Sequence, residues 1–275
     1  MAQKKSRLFP VAFLAAKATL AALKLTNHEG GTLPGFIAEG IDPAFLGDIA
    51  KPEQIVFITG TNGKTTTNNL LNDLLADNGY QTVTNRVGGN ISSGFASSFA
   101  KNATWKGTSK TKLAVMEFDE LSGPRIFPYL QPDILSVTNL FRDTFSRSAT
   151  PDYVFDVMDK GIPASTHLIL NADDMISCRL APQCTHRTYY SIARLAEDTA
   201  EPVGIVSDLT ACPKCGGKLK WDYAHLRHLG HATCEECGYT NPTPDYEVIS
   251  VEPETGKFVV KEHCHEGAPT YEYKL

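Results

Sequence analysis

A short glycine-rich loop between two contrasting stretches of sequence constrains the fold of this chain more than any other feature. Residues 54–59 form an apolar run typical of a buried strand, and residues 65–78 have the pattern of a helix. The loop between them reads Gly60-Thr61-Asn62-Gly63-Lys64-Thr65-Thr66. In such a loop, backbone N–H groups and the positive end of the following helix surround an anion. The sequence therefore predicts a phosphate-binding loop.

The side chains of the loop indicate a nucleoside triphosphate. We expect the Lys64 ammonium to reach the terminal phosphates and the Thr65 hydroxyl to bind Mg²⁺. The loop is shorter than the common pattern, because Ile58 occupies the position at which that pattern has its first glycine. The order of strand, loop and helix still favours a nucleotide site over an ordinary Gly-Lys turn at a helix start.

A carboxylate at the end of a neighbouring strand is expected to hold the magnesium ion. Glu117 directly follows the apolar run of residues 113–116. Asp119 and Glu120 are close enough to compete for this role, or they only supply negative charge to the start of the next helix. Glu117 is favoured because ligands gather at the ends of strands in open α/β sheets.

Strand-like and helix-like runs alternate along most of the chain, which predicts an α/β fold with a mostly parallel sheet and helices on both faces. Predicted strands cover residues 54–59, 81–84, 112–116, 133–138 and 167–170. Predicted helices cover residues 65–78, 120–130 and 151–160. Alternating patterns near residues 246–251 and 257–260 predict antiparallel strands.

The amino terminus superficially resembles a signal peptide, because Lys4, Lys5 and Arg7 precede an apolar run. Lys17 interrupts that run, and the uninterrupted stretch is too short to span a bilayer. We therefore expect an amphipathic or buried helix over residues 8–24. The glycines and proline of residues 30–35 predict a break, which a short helical piece follows at residues 41–49.

Composition and cysteine spacing limit the classes of function. A chain of 275 residues with 42% hydrophobic positions has material for a sizeable core, which excludes disorder and collagen-like structure. A net charge of -5 provides no overall field that would attract nucleic acid. The seven cysteines are odd in number, unlike secreted disulfide frameworks, and favour a reducing compartment.

Four cysteines form two C-x-x-C pairs, which are separated by 18 residues as in a zinc ribbon. The pairs are Cys212 with Cys215 and Cys234 with Cys237. Four thiolates would close a tetrahedral sphere around Zn²⁺, so we expect a structural site. Two redox pairs or an iron–sulfur site are the competing interpretations.

The other candidates give weaker signals. Basic residues in the insertion fit either a nucleic-acid contact or, as we favour, a solvated face; they are Lys214, Lys218, Lys220 and Arg227. Histidines in the insertion either shield it or are exposed; they are His225, His228 and His231. The run His263-Cys264-His265 resembles a metal motif, but adjacent side chains of a strand point to opposite faces and chelate one ion poorly. Cys178 and Cys184 are expected to be buried or incidental thiols rather than nucleophiles. Arg142 and Asp143 are expected to position substrate or to form an ion pair.

Several of these motifs together resemble the Mur ligases, the ATP-dependent enzymes that build the peptidoglycan stem peptide. They are the phosphate loop, Gly88-Gly89-Asn90 and the Thr138-Asn139-x-x-x-Asp143 segment. Further segments and the cysteine insertion narrow the resemblance to the MurT subfamily, the synthetase subunits of lipid II isoglutaminyl synthases. These segments are residues 32–35, 119–120, 124–125 and 170–174. The resemblance runs from about residue 20 to the end.

The resemblance implies an ATP-dependent ligase that forms carbon–nitrogen bonds in the cytoplasm, at the inner face of the membrane. The residues that would bind the ATP phosphates are Gly60, Thr61, Asn62, Gly63, Lys64, Thr65 and Thr66. Asn90 and Glu117 would lie near the γ-phosphate and Mg²⁺. The acceptor would be the α-carboxyl of D-Glu in lipid II, which is activated as an acyl phosphate for attack by ammonia. A GatD-like glutamine amidotransferase would be the partner, and no nucleic acid is expected.

The chain departs from the Mur ligase pattern in two places. Residues 144–147 stand where many Mur ligases have His-x-Asp-Arg, which makes a second metal of that kind doubtful. The sequence also stops before the Pro-Gly-x-x-Asn segment and the carboxy-terminal domain of those enzymes. We therefore expect the chain to retain the phosphate site but to have little synthetase activity alone.

The resulting organisation is a helical segment at residues 1–50 and a Mur ligase central ATP-binding domain at residues 51–275, with a zinc ribbon inserted at residues 208–244. Two alternatives remain open. One is another Mur-type amide ligase acting on a nucleotide-linked precursor. The other is a zinc-ribbon nucleotide-binding module that contacts nucleic acid, which would require strongly salt-dependent binding to DNA or RNA.

Overall fold

A computed structural model describes residues 5–28, 31–87, 89–141, 151–203 and 209–274 of the chain. Within these ranges, no helix is long and apolar enough to cross a membrane. The chain divides into two compact units. The first comprises Met1–Ser136 and Lys160–Thr166, and the second comprises Val137–Asp159 and His167–Leu275.

The first unit begins with three helices, α1 (Phe9–Leu25), α2 (Leu33–Ile41) and α3 (Phe45–Asp48). Helix α1 confirms the helix expected near residues 8–24. The break expected over residues 30–35 is wrong at its end, because α2 already begins at Leu33. Pro34 lies in the first turn of α2, where its missing N–H costs no hydrogen bond within the helix.

Lys17, which interrupts the apolar run of the sequence, is buried in the structure rather than turned to solvent. Its ammonium donates a hydrogen bond to the carbonyl of Ala103, the residue that caps the carboxyl end of the helix at Ser92–Asn102. It also lies 5.4 Å from the ring of Phe13. Burial lowers the pKa of Lys17, and Lys110 lowers it further. The charge is tolerated because it meets the negative end of a helix dipole.

The remaining elements of the first unit follow in the predicted alternation. They are β1 (Gln54–Thr59), α4 (Lys64–Asp77), β2 (Thr82–Val83), α5 (Ser92–Asn102), β3 (Leu113–Glu117), α6 (Gly123–Ile126) and β4 (Ile134–Val137), whose last residue begins the second unit. Strand β1 runs parallel to β3, with Ile58 opposite Glu117, and β2 pairs parallel to the other side of β3. This register places the end of β3 beside the loop that follows β1.

The second unit contains parallel strands followed by antiparallel strands. Its elements are α7 (Pro151–Asp159), β5 (His167–Asn171), β6 (Arg187–Ile192), β7 (Leu219–Leu226), β8 (Leu229–Cys234), β9 (Tyr246–Glu252), β10 (Lys257–Glu262) and β11 (Thr270–Lys274). Strands β5, β6 and β9 are parallel neighbours, whereas β9, β10 and β11 are antiparallel, as the sequence predicted. Strands β7 and β8 form a separate antiparallel hairpin.

Helix α5 has no counterpart among the sequence predictions, because its small and polar residues have weak helix propensity. It forms around a buried face that includes Phe95 and Phe99. Phe95 meets the ring of Phe57 on β1 at a centroid distance of 5.2 Å, and Phe57 stacks on Phe118 at 5.5 Å. These rings join α5, β1 and the residue after β3 in one apolar core, and that core fixes the strand ends that carry the candidate site.

Candidate functional site

The predicted phosphate loop connects β1 to α4 and leaves its hydroxyls accessible. Gly60 and Gly63 have positive φ angles of 123° and 83°, which turn the chain sharply between strand and helix. Lys64 is the first residue of α4, and Thr65 and Thr66 are exposed in its first turn. The amino end of α4 therefore faces solvent with the residue types that bind an anion.

The Lys64 ammonium is held by partners within the protein. It lies 3.0 Å from Glu120 Oε1 and donates hydrogen bonds to the carbonyls of Gly60 and Thr61. Only 15% of the Lys64 side chain and 11% of the Glu120 side chain are exposed. In this arrangement, the Glu120 carboxylate is bound to the Lys64 ammonium, with which an incoming phosphate would otherwise pair.

Glu117 projects from the end of β3 toward the hydroxyl of the loop. Thr65 Oγ1 donates to Glu117 Oε2 at 2.7 Å, and Asn90 Nδ2 donates to Glu117 Oε1 at 3.1 Å. Hydroxyl, carboxylate and amide oxygens are ligands that Mg²⁺ accepts. The structure thus brings together Thr65 and Glu117, which the sequence analysis assigned to Mg²⁺, and Asn90, which the resemblance placed near the γ-phosphate and Mg²⁺.

The two carboxylates that competed with Glu117 have other neighbours. Glu120 pairs with Lys64, and Asp119 accepts a hydrogen bond of 3.0 Å from the Ser122 hydroxyl at the start of the short 3-10 helix Glu120–Ser122. Asp119 therefore lies at the start of this helical segment, where a negative charge is favourable. In the part of the chain that the structure describes, Glu117 is the one of these three carboxylates that hydrogen-bonds to the Thr65 side chain.

Asn85 is a site residue that the sequence analysis missed. Its side chain pairs with the backbone of Glu117 in both directions, with Nδ2 2.8 Å from the Glu117 carbonyl and Oδ1 2.8 Å from the Glu117 N–H. Its Nδ2 also lies 3.3 Å from the carbonyl of Gly89. Asn85 thereby ties the strand that carries Glu117 to the loop that carries Asn90. An isolated asparagine after a two-residue strand gives no signal for such a role.

Glu120 should make the stability of the first unit depend on pH. Burial raises the pKa of its carboxyl above the ordinary 4.5, and the Lys64 ammonium offsets part of this effect. Its contribution to folding is therefore complete below pH 4.5 and is lost as the pH rises through the folded-state pKa. We expect Glu120→Gln to flatten the fall in the free energy of unfolding from pH 4.5 to pH 7, measured by urea titration.

The exposed Glu53 provides the matched control for this prediction. Its side chain is 72% exposed and lies 3.9 Å from Lys112. Glu53→Gln should follow the wild-type pH dependence. An equal slope in the wild type and in Glu120→Gln would contradict the assigned origin of the effect.

The four cysteines of the insertion form a compact cluster in the second unit. Cys212 Sγ lies 3.7 Å from Cys237 Sγ, and Cys215 Sγ lies 3.5 Å from Cys234 Sγ. All four sulfur atoms lie within 4.8 Å of one another. A tetrahedral zinc ion with Zn–S bonds of about 2.3 Å requires sulfur separations of about 3.8 Å. The donor set and its spacing therefore fit Zn²⁺.

Backbone geometry preorganises these sulfur atoms as metal ligands. The N–H groups of Lys214, Gly217 and Cys237 point at cysteine sulfurs at 3.4 Å. The Cys237 N–H lowers the pKa of the Cys234 thiol, which favours its thiolate, whereas the neighbouring thiols raise the pKa of Cys215. Gly216 and Gly238 have φ angles of 78° and 68°, a conformation that other residues adopt only with strain, so the glycines after each pair allow the chain to turn.

Two histidines of the insertion, for which the sequence left burial or exposure open, contact residues outside its hairpin. His225 lies 2.8 Å from Asp198 and 3.0 Å from the carbonyl of Ile192, and His228 lies 3.3 Å from Asp174. Both histidines are largely buried, whereas His231 pairs with the exposed Asp222. Polar contacts of these two histidines therefore attach the hairpin to the end of β6 and to the segments that follow β5 and β6.

Burial raises the pKa of Asp173, a neighbour of this anchor, to about 6, while the Ile192 N–H lowers it. Cys178 and Cys184 are buried, and burial raises the pKa of each thiol. Thr138 and Asn139 are also buried, and Asn171 Nδ2 donates to the Thr138 carbonyl at 3.0 Å. Gly88, Arg142, Asp143 and residues 144–147 lie outside the described residues.

Residues 58–207, more than half of the 275-residue chain, match the family described as Mur ligase middle domain. The chain is similar to the lipid II isoglutaminyl synthase (glutamine-hydrolyzing) subunit MurT of Staphylococcus aureus (strain COL), at 36% identity over 86% of this chain and 53% of that protein. The subunit of the same name from Streptococcus pneumoniae (strain ATCC BAA-255 / R6) is 34% identical over 81% of this chain and 49% of that protein. The chain spans about half the length of the curated relatives it matches.

A solved structure has the same fold. The chain resembles a pseudomurein peptide ligase type C from Methanothermus fervidus with a TM-score of 0.63 and 24% identity, over 85% of this chain and 44% of that chain. The match confirms the predicted α/β class with a mostly parallel sheet. The family match begins at Ile58, within β1, and includes the phosphate loop, Asn90 and Glu117. The chain therefore belongs to the Mur ligase family, whose middle domain it contains.

Proposed function

We propose that this chain is the ATP-binding part of the synthetase subunit of a lipid II isoglutaminyl synthase. The observation that carries the proposal is the meeting of Lys64, Thr65, Asn90 and Glu117 at the amino end of α4. The names of the relatives from S. aureus and S. pneumoniae supply the substrate class and imply a glutamine-hydrolysing partner of the GatD type. The proposed setting is the cytoplasm, at the inner face of the membrane.

The chemistry that these residues would support is activation of a carboxylate. A carboxylate resists attack by ammonia because oxide is a poor leaving group. Transfer of the γ-phosphoryl from ATP to a carboxylate oxygen breaks the bond to ADP and gives an acyl phosphate. Ammonia then displaces inorganic phosphate and forms the amide. Lys64, once released from Glu120, would stabilise the negative charge on the phosphoryl during transfer.

Thr65 and Glu117 would hold Mg²⁺, which when bound neutralises charge on the phosphates. Asn90 keeps one carboxylate oxygen of Glu117 in place, and Asn85 fixes the backbone from which Glu117 projects. The Glu117 carboxylate is thus oriented before any ligand binds, which favours tight and specific coordination. The four cysteines would hold a structural Zn²⁺ apart from this chemistry.

Glu117→Gln should weaken Mg²⁺-dependent ATP binding by at least about tenfold, since loss of even a residue that supports a metal ligand costs about 10-fold to 100-fold in metal affinity. Titration of a fluorescent ATP analogue with and without Mg²⁺ measures the effect. Asp119→Asn is the matched control, because Asp119 bonds Ser122 and should leave the Mg²⁺ dependence unchanged. A larger effect from Asp119→Asn than from Glu117→Gln would show that Asp119, and not Glu117, binds the metal.

The proposed activity is tested by expressing this chain within its natural reading frame together with a GatD-like glutamine amidotransferase. Amidation replaces the hydroxyl of a carboxyl group by an amino group. Mass spectrometry of the lipid II stem peptide detects this change. We expect amidation that requires ATP and glutamine and places the amide on D-Glu. An amino acid added to a nucleotide-linked precursor would instead support another Mur-type ligase.

The charge of the insertion gives no support to the nucleic-acid alternative. Residues 208–244 contain four basic and four acidic residues, so the basic side chains are balanced. Lys218 lies 3.6 Å from Glu235, and the Arg227 guanidinium lies 5.4 Å from the ring of Phe141. A surface that follows a phosphate backbone requires an excess of positive charge.

A further inference from the structure

The turn between β10 and β11 contains a cluster of donor atoms that the proposed function does not use. The sequence analysis expected the His263-Cys264-His265 run to chelate poorly because it assumed a continuous strand. Strand β10 ends at Glu262, however, and the chain bends over residues 263–265. The alternation of a strand no longer applies after Glu262, and Cys264 and His265 come together beside it.

Backbone hydrogen bonds hold this turn in a closed shape. The Glu262 N–H donates to the Pro269 carbonyl at 2.9 Å, and the Ala268 N–H donates to the His265 carbonyl at 3.1 Å. The His263 N–H donates to the Asp245 carbonyl at 2.7 Å. Both ends of the donor cluster are therefore fixed to neighbouring backbone.

Three different donor types converge on one point of the turn. His265 Nδ1 lies 3.5 Å from Cys264 Sγ and 3.2 Å from Glu262 Oε1. All three donor atoms lie within 4.8 Å of one another. A tetrahedral zinc ion with the usual bond lengths separates sulfur and nitrogen ligands by about 3.5 Å and nitrogen and oxygen ligands by about 3.4 Å. The sulfur–nitrogen and nitrogen–oxygen separations are close to those of ligands of one ion.

The three side chains offer a complete set of ligand atoms to one ion. Without metal, the His265 Nδ1–H can donate to Glu262, and the exposed Cys264 thiol needs no partner within the protein. A divalent cation accepts electron pairs from the thiolate, the imidazole and the carboxylate at once. The cluster can therefore supply three ligands to one cation.

His263, which is adjacent in sequence, does not belong to this cluster. His263 lies 2.9 Å from Glu247 Oε2 on β9 and is thus occupied by its own carboxylate. Tyr246 is paired with Glu262 across the β9–β10 ladder. This pairing fixes the backbone of Glu262 at the end of β10, just before the turn.

We propose that Glu262, Cys264 and His265 form a second zinc site, distinct from the four-cysteine cluster. A thiolate and an imidazole select Zn²⁺ over Mg²⁺, which prefers oxygen ligands. Three protein ligands leave one tetrahedral position for water or for a donor from another molecule. The exposed fraction of the His265 side chain, 64%, keeps that position accessible from solvent.

The zinc content of the whole chain tests this proposal directly. The protein is loaded with Zn²⁺, passed through a desalting column and analysed by inductively coupled plasma mass spectrometry. We expect two zinc ions per chain in the wild type and one in Cys264→Ser and in His265→Ala. His263→Ala is the matched control from the same turn and should retain both ions. A wild type that retains one ion, or a Cys264→Ser variant that retains two, would overturn the proposal.

Alkylation of the Cys264 thiol provides a second readout. Cys264 is exposed, so iodoacetamide should modify it in the zinc-free protein, and peptide mass spectrometry identifies the modified cysteine. Bound Zn²⁺ should slow this reaction by at least about tenfold, because coordination withdraws the thiolate that acts as nucleophile. His265→Ala should abolish the protection. Equal alkylation rates with and without Zn²⁺ would contradict metal binding at this turn.

Discussion

Lys64→Ala is expected to weaken ATP binding by at least about 100-fold and to lower carboxylate activation by about 1,000-fold, which is the cost of removing one stabiliser of developing charge. The ammonium is the group at the start of α4 that would move from Glu120 to the transferred phosphoryl. ATP affinity is measured on the chain by calorimetric titration, and activation by ATP-dependent amidation with the amidotransferase partner. Lys112→Ala, which removes an exposed lysine paired with Glu53, should change neither.

The same substitution leaves Glu120 buried without its cation, so a folding defect must be separated from a binding defect. Burial already raises the pKa of Glu120, and loss of Lys64 removes the main opposing influence. The double variant Lys64→Ala/Glu120→Gln should therefore recover thermal stability but not ATP affinity. Recovery of both would show that Lys64 acts through folding and not through the phosphates.

Removal of zinc from the four-cysteine cluster should have the second large effect. Structural zinc contributes about 10 to 16 kcal/mol in small zinc modules, far more than the hydrophobic burial that a two-stranded hairpin supplies. We expect Cys215→Ser, treated with a chelator, to lose at least about 100-fold of the hydrogen-exchange protection of the β7 and β8 amides. Amides of β1 and β3 should keep their protection, because their pairing belongs to the first unit.

Cys264→Ser is the matched control, because it also removes a thiol from the second unit but lies outside the four-cysteine cluster. It should leave the protection of β7 and β8 intact. In the wild type, a chelator should reduce this protection, and Zn²⁺ but not Mg²⁺ should restore it. Full protection without metal would mean that the contacts of His225 and His228 with Asp198 and Asp174 are sufficient to fold the hairpin.

Features that depend on neighbouring residues in the sequence were the most predictable. The phosphate loop and the two C-x-x-C pairs each occupy a few consecutive residues, so spacing alone predicted them. Strand β1 was predicted with its observed bounds because its apolar run is continuous. Glu117 was predicted to lie near Thr65, 52 residues away, because it ends a neighbouring strand. The role of Asn85 and the pairing of Glu120 with Lys64 act across 32 and 56 residues, and no local pattern indicates either.

The errors have physical causes of the same kind. Helix α5 is stabilised by burial of Phe95 and Phe99, which overrides the weak helix propensity of its serines and glycine. The start of α2 was missed because Pro34 and Gly35 were interpreted as a break, although proline is well suited to a first helical turn.

The ion pair between Lys64 and Glu120 sets a minimum number of contacts for any anion that binds at the loop. Any phosphate that approaches Lys64 must exchange with a carboxylate that is already in place, so part of its binding energy is spent on separating the pair. This cost is the same for every phosphate, but a triphosphate that also contacts the loop backbone can still bind well, whereas orthophosphate has fewer contacts. Under the proposed function, the return of Glu120 to Lys64 would help to expel the phosphate released from the acyl phosphate. The pair would then reduce inhibition by that product.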